Sequence, residues 1–305
     1  MPREPTPAQE GVFRYRPAPW PLSRFVESLY TTSVSVEFVA ALDRAERLPE
    51  VAAQLVFLLA EGADYPAPLH VSGNTYASLF LQLGHLERIR IPLSVREVTA
   101  ASLRPNGLPL VLRGSAGDWA GQQLIPFEDV LGHEARELME RMLVASTEQR
   151  PAVLQRFLER RMTGAAAPNG MVAQELRFTM QSQGALSVSD VADRCGCSAR
   201  RLHQVTVQNT GLTPKQLARI ARARHLLDVL VSSAKLTEAA MVTGFFDHPH
   251  LSRECQALFG CTPGELSEAV RKAPALEPSI STNRQLLSTG LALVPRSLCS
   301  VRPLR

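Results

Sequence analysis

The chain has 305 residues, 45% of them hydrophobic and 20% charged, which is ample for more than one domain with its own core. Thirty-three lysines and arginines against 29 acids leave a net charge of +4 and an isoelectric point near 9.0, a mild excess that does not by itself name an anionic partner. No apolar run approaches the roughly 20 residues of a membrane-spanning helix, and the opening MPREPTPAQE lacks the apolar centre of a signal peptide, so a cytoplasmic protein without membrane association is expected.

Residues 1–19 contain five prolines and no periodic pattern, and read as a disordered lead-in. In PLSRFVESLY, Leu22, Phe25, Val26 and Leu29 recur at helical spacing, which predicts a short amphipathic helix. Apolar and β-branched runs follow: SVSVEFV, AAQLVFLLA, LHVSG, YASLFLQLG, VREVTAASLRP and LPLVLRG. They are cut by Gly62, Pro66, Pro68, Gly73–Asn74, Pro105–Gly107 and Gly114. Short runs punctuated in this way predict a β-rich sandwich or half-barrel, with the first two open to either strand or helix.

From Pro126 the period changes. PFEDVLGHEARELMERMLVA aligns Val130, Leu131, Leu138, Met142 and Leu143, while Glu134, Glu137, Glu140 and Arg141 fall on the exposed side. EQRPAVLQRFLERRM then carries Val153, Leu154, Phe157, Leu158 and Met162 as one apolar stripe. TGAAAPNG, at 163–170, is a linker by composition and marks the main domain boundary.

A pattern then occurs twice. VSDVADRCGCSARRLHQVTVQNTGLTP (188–214) overlays LTEAAMVTGFFDHPHLSRECQALFGCTP (236–263). Val188 matches Leu236, Asp190 matches Glu238, Ala192 matches Ala240 and Gly196 matches Gly244, each 48 apart; Leu202 with Leu251, Gly211 with Gly260 and Pro214 with Pro263 are 49 apart. Each copy is a helix, a tight turn with Gly, a second helix, a Gly stop and a Pro, the layout of a helix-turn-helix used as a repeated unit. In the second copy Asp247 is placed as N-cap and Pro249 in the first turn. Leu251, Cys255, Leu258 and Phe259 then form a buried face opposite His248, Ser252, Arg253 and Gln256. Between the copies, PKQLARIARARHLLDVL reads as a connecting helix long enough to set two recognition helices in successive major-groove segments.

The tandem units, the GFFDHPHLSR run and the FG-x-TP closing the second unit resemble the AraC/XylS family of bacterial transcription regulators over about 184–271. The front region, with PLSRFVESLY, ERLPE, LRPNGLPLVLRG and the IPFEDVLG helix, is similar to the N-terminal domain of one subgroup. The resemblance implies an α+β, multidomain chain: a β-rich N-terminal regulatory domain, then an all-α DNA-binding domain with two helix-turn-helix units joined by a linker helix. The expected divisions are a lead-in at 1–19, a regulatory, sensor or dimerisation domain at 20–163, a linker at 164–183, the tandem units at 184–272 and a mostly disordered tail at 273–305. Three departures are notable. Where the family has Arg and Phe in the first unit this chain has Gln204 and Thr206, and where it has Phe in the second it has Cys255, which predicts a softer core.

By the repeat, Arg200, His203 and Gln204 of the first unit and His248, Ser252, Arg253 and Gln256 of the second face DNA. Arginine can read guanine and glutamine adenine by paired hydrogen bonds. Pairing with a nearby carboxylate such as Glu254, or phosphate contact, is the rival role for Arg253. His250 is placed in the core or on phosphate, and Arg222 in a structural role. Between 194 and 235 there are eight basic residues and one acid, Asp228. That basic stretch suits phosphate contacts, with Arg201, Lys215 and Arg219 as DNA-binding candidates. Double-stranded DNA and RNA polymerase are the implied partners; an effector and a homodimer are further partners the class allows.

Other chemistry is weaker. His70, His85 and His133 are dispersed, and His133 with Glu137 has the spacing of two ligands on a helix face but no His-Glu-x-x-His pattern. Cys195 and Cys197 are too close for a usual zinc half-site, so the five cysteines are expected as reduced, mostly buried thiols. No cofactor, metal or catalytic residue is assigned, and no enzyme activity. A sensor pocket lined by Phe57, Tyr76, Leu81 and Leu110 competes with plain core packing, and dimerisation through the 150–162 helix competes with packing inside the chain.

Overall fold

A computed structural model of the chain describes residues 12–33, 42–47, 50–85, 89–91, 94–112, 114–164, 170–232, 248–272 and 291–295. The front domain is built on β1 (Val12–Pro17), β2 (Val26–Ser33), β3 (Leu42–Arg47), β4 (Ala53–Glu61), β5 (Leu69–Ser72), β6 (Thr75–Gln82), β7 (Ile89–Ile91), β8 (Val95–Leu103) and β9 (Leu124–Pro126). Seven strands pair in one antiparallel sheet in the order β1-β2-β8-β4-β6-β5, with β9 also on β6. Strand β10 (Leu291–Pro295) joins β3 and β7 in a smaller sheet of order β10-β3-β7.

The large sheet is buried on both faces. Along β4, Ala53, Leu55 and Phe57 enter one cluster with Leu79 and Leu81 of β6, while Val56, Leu58 and Ala60 enter another with Phe80 and Tyr30. That is the period-2 alternation of a strand with apolar residues on each side. The first face is covered by α1 (Leu108–Leu112), α2 (Phe127–Leu131), α3 (His133–Val144) and α4 (Arg150–Met162). Gly132, at φ +55°, separates α2 from α3. Leu138, Met142, Leu154, Phe157, Leu158 and Met162 deliver the expected apolar stripes into the same core as Phe57 and Leu81.

Several expectations are corrected. PLSRFVESLY forms only a 3-10 turn at Leu22–Arg24 and then strand β2; Leu29 and Tyr30 enter opposite cores, and burial on both faces hides the alternation that marks a strand. LPLVLRG yields helix α1 rather than a strand: Leu108, Val111 and Leu112, at i, i+3 and i+4, are buried. Residues 12–17 of the expected lead-in pair with β2, with prolines confined to the end of this edge strand. Within the expected tail, 291–295 pairs with β3. Most of the expected linker is helix α5 (Gly170–Gln181), whose Val172, Glu175 and Thr179 are buried. Of SVSVEFV, residues 34–39 lie outside the described residues.

Arg150 ties the helices to the sheet. Its guanidinium bonds the Glu97 carboxylate on β8, its Nε donates to Met142 O at 2.9 Å, and it lies 5.0 Å from the centre of the Phe57 ring. Removing the buried Arg150 leaves Met142 O and the part-exposed Glu97 carboxylate without its N–H groups, although Glu97 keeps a 2.7 Å bond from Thr147 Oγ1. Arg150→Ala is therefore expected to lose about 2–3 kcal/mol of front-domain stability, measured by urea unfolding.

Candidate nucleic-acid interface

The C-terminal region contains α5, α6 (Val188–Arg194), α7 (Ala199–Thr210), α8 (Pro214–Ser232), α9 (His248–Phe259) and α10 (Pro263–Lys272). Its helix starts follow from local chemistry. Ser187 caps α6 by accepting from Asp190 N while Asp190 accepts from Ser187 N; the Ser187 hydroxyl, donating to Asp190 Oδ2 at 2.7 Å, and then its backbone N–H hold the Asp190 carboxyl below the usual range. Ser198 caps α7 by accepting from Arg201 N. Gly196 and Gly211, at φ +67° and +73°, make the turn between helices and the stop of α7.

The repeat extends to the caps that follow each second helix. Thr213 Oγ1 accepts from Gln216 N at 3.3 Å, and Gln216 Oε1 accepts from Thr213 N at 2.8 Å. Forty-nine residues on, Thr262 Oγ1 accepts from Glu265 N at 3.3 Å, and Glu265 Oε2 accepts from Thr262 N at 2.7 Å. Each box follows a left-handed Gly, Gly211 or Gly260, and precedes a Pro at the helix start. The first helix of the second unit, and Asp247, the expected N-cap of α9, lie outside the described residues.

On α7, Leu202, Val205 and Thr206 are buried while Arg200, Arg201, His203 and Gln204 are exposed. On α9, Leu251, Cys255, Leu258 and Phe259 are buried, whereas Arg253 and Gln256 are exposed and Ser252 is half-buried. The His248 side chain lies outside the described residues. Arg253 Nε donates to Pro249 O at 3.3 Å, using one of five N–H groups and leaving no tie to Glu254. It is Arg219 that takes Glu254, through two bonds of 3.1 and 3.2 Å that fasten α8 to α9. Arg219 thus has a structural partner that spacing alone did not reveal. Arg222 donates to Gly184 O at 3.2 Å, and Lys215 is exposed at the start of α8.

Polar chemistry occupies the core position of Thr206. Glu175 on α5 is fully buried, and its Oε2 lies 2.5 Å from Thr206 Oγ1, which lies 2.6 Å from Leu202 O. A hydroxyl has one proton, so it can satisfy Leu202 O only if the carboxyl donates to it. Burial raises the Glu175 carboxyl to about 7, against the lowering effect of the Thr206 bond. In the second unit, Cys255 fills its core position as a neutral thiol, pushed up to about 12 by burial. Burial also raises Cys195 at the first turn. The histidines of the front domain have separate local contacts: His70 with Gly73 O at 3.0 Å, His85 with Gln82 at 2.9 Å, and His133 with Glu137 at 3.6 Å.

Among the described residues, one complete helix-turn-helix, α6 and α7, is followed by α8 and by α9, the second helix of the repeated unit. Residues 191–269 match a family model described as a helix-turn-helix domain, the same region in which the sequence resembles the AraC/XylS family. The chain is 38% identical over 87 residues to the HTH-type transcriptional activator RhaS of Escherichia fergusonii, covering 28% of this chain and 31% of that protein. It is 37% identical over 81 residues to RhaS of Escherichia coli K12, covering 26% and 28% respectively. The chain thus spans under a third of the length of these curated relatives. Among solved structures, ToxT from Vibrio cholerae aligns with 84% of this chain and 97% of its own at 12% identity and a TM-score of 0.39. A fatty-acid-bound ToxT aligns with 87% and 96% at 12% identity and a TM-score of 0.40.

The Glu175 site has a measurable pH signature. With its folded value near 7 and its ordinary value at 4.5, the folded state holds more protons than the unfolded state between them. Stability therefore falls as pH rises from about 4.5 to 7, and the penalty persists above that window, on the order of 3 kcal/mol. Glu175→Gln, which stays neutral and can still donate to Thr206, is expected to flatten this slope in urea unfolding followed from pH 5 to 8.

Proposed function

We propose that the chain is a sequence-specific transcription regulator in which α7 and α9 enter neighbouring major-groove segments of double-stranded DNA. The supporting observation is one capped unit used twice, each with a buried stripe and an exposed face rich in hydrogen-bond donors. Arg200, His203 and Gln204 act from α7; His248, Ser252, Arg253 and Gln256 act from α9. Arg201 and Lys215 contact phosphate, while Arg219, held by Glu254, contributes by fixing α9 against α8. Helix α8 has 19 residues and a length of about 28 Å, comparable with the roughly 34 Å between successive major-groove faces.

In this reading the front domain is regulatory, and RNA polymerase is the partner reached once the protein is on its site. Among the described residues no helix is long and apolar enough to cross a membrane. The chemistry assigned is recognition, with no catalytic step.

The two kinds of contact separate in a competition binding assay. Arg253→Ala should lose about 1–3 kcal/mol of discrimination at one base pair. Lys215→Ala should weaken every site alike and lower the salt slope by about one. Identical behaviour of the two variants contradicts the assignment of roles. Binding with no preference over competitor DNA contradicts the proposed function itself.

A further inference from the structure

We propose that the front domain covers part of the DNA-reading face of α7, so that full entry of this helix into a groove requires the front domain to move off it. The proposal rests on the reading of α7 as a DNA-reading helix.

At about 100° per residue, position 207 lies roughly 20° around the helix from 200, between the directions of 203 and 204. Position 211, continuing that turn, falls close to the same line. The face that begins with Arg200, His203 and Gln204 therefore runs on through Val207 to Gly211. That second half is where the front domain sits. A Cβ added to Gly117, in the 3-10 turn Ala116–Trp119, would lie 3.2 Å from Val207 Cγ1. A Cβ on Gly211 would lie 3.4 Å from Ala116 O and 3.7 Å from Leu83 Cδ1. Ala116 is fully buried, and Ser115 Oγ approaches Gln208 O at 3.5 Å.

Two further contacts hold this position. Val51 packs with Leu212, Leu217 and Ile220 in one buried cluster. Beside it Glu50, only 3% exposed, accepts from Arg224 Nη1 of α8 at 2.7 Å and from Val51 N at 2.8 Å. Glu50 thereby sets a carboxylate against one cation of the basic stretch, and the apolar cluster keeps the turn after α7 seated on the front domain. A DNA backbone beside Val207 and the 116–119 turn would occupy one volume. By linkage, whatever separates the front domain from α7 and α8 strengthens DNA binding, and DNA in turn favours separation.

A reversible lock tests this in the full chain. Val207 Cγ1 so near the Gly117 Cβ position puts the two Cβ atoms near the roughly 3.5–4.5 Å of a disulfide. In the Gly117→Cys/Val207→Cys double variant, oxidation should weaken binding to a selected DNA site by on the order of tenfold or more, and reductant should restore it. The corresponding single variants control for the native cysteines. Val51→Asp, which places a charge in the apolar cluster, should act oppositely and tighten binding by a similar factor, with the melting transition confirming that the chain remains folded. Equal affinity of the oxidised and reduced double variant, with no gain in Val51→Asp, overturns the masking while leaving DNA reading intact. If the reduced and parent chains both show no preferred site, DNA reading itself fails.

Discussion

Helix α8 is the constraint on which the DNA-binding half depends, because it packs against three surroundings at once. Its first turns bury Leu217 and Ile220 with Leu212, Val51 and the α5 residues Leu176 and Met180. Its later turns bury Ala223, Leu226 and Leu230 with Leu251, Cys255, Leu258 and Phe259 of α9 and Leu266 of α10. Between these apolar patches Arg219 reaches Glu254, Arg222 reaches Gly184 O and Arg224 reaches Glu50. One helix therefore fixes α9, supports the first unit and carries the front domain. Its arginines are distributed between structure and surface charge rather than all serving phosphate.

That division explains why charge counting along the sequence overstates the DNA-facing cations. Eight basic residues against one acid between 194 and 235 suggest a continuous electropositive strip. The partners of Arg219 and Arg224, Glu254 and Glu50, are 35 and 174 residues distant in sequence. A window cannot contain such partners. Exposure leaves Arg200, Arg201 and Lys215 at the surface of the first unit, and Arg253 at that of the second.

The tandem units were legible because their signals are local. The Gly stops, the Pro starts and the 3.6-residue periodicity each depend on a few neighbouring residues, and Leu202 and Leu251 fall buried as their pattern requires. The front domain was less legible where burial on two faces erases a strand's alternation, as in β2, or where a five-residue helix resembles a short strand, as in α1. Strand β10 pairs with β3 some 250 residues away, a relation with no local signature. Glu175 carries no sequence signal for a related reason: it falls in the stretch expected as a linker, and only the helix that forms there and the placement of Thr206 against it make it a buried acid. At position 206, where an aromatic is missing, the structure places a proton-sensitive polar pair. Val207 and Gly211 also escaped notice as interface residues, because their partners lie in the 116–119 turn of another domain.

The central claim is that two equivalent helices read adjacent stretches of one DNA face. Hydroxyl-radical footprinting of the full chain on a selected site tests it most directly. The account predicts two protected tracts on the same face of the duplex, centred about 10–10.5 base pairs apart. A single short tract, or tracts on opposite faces, would contradict it.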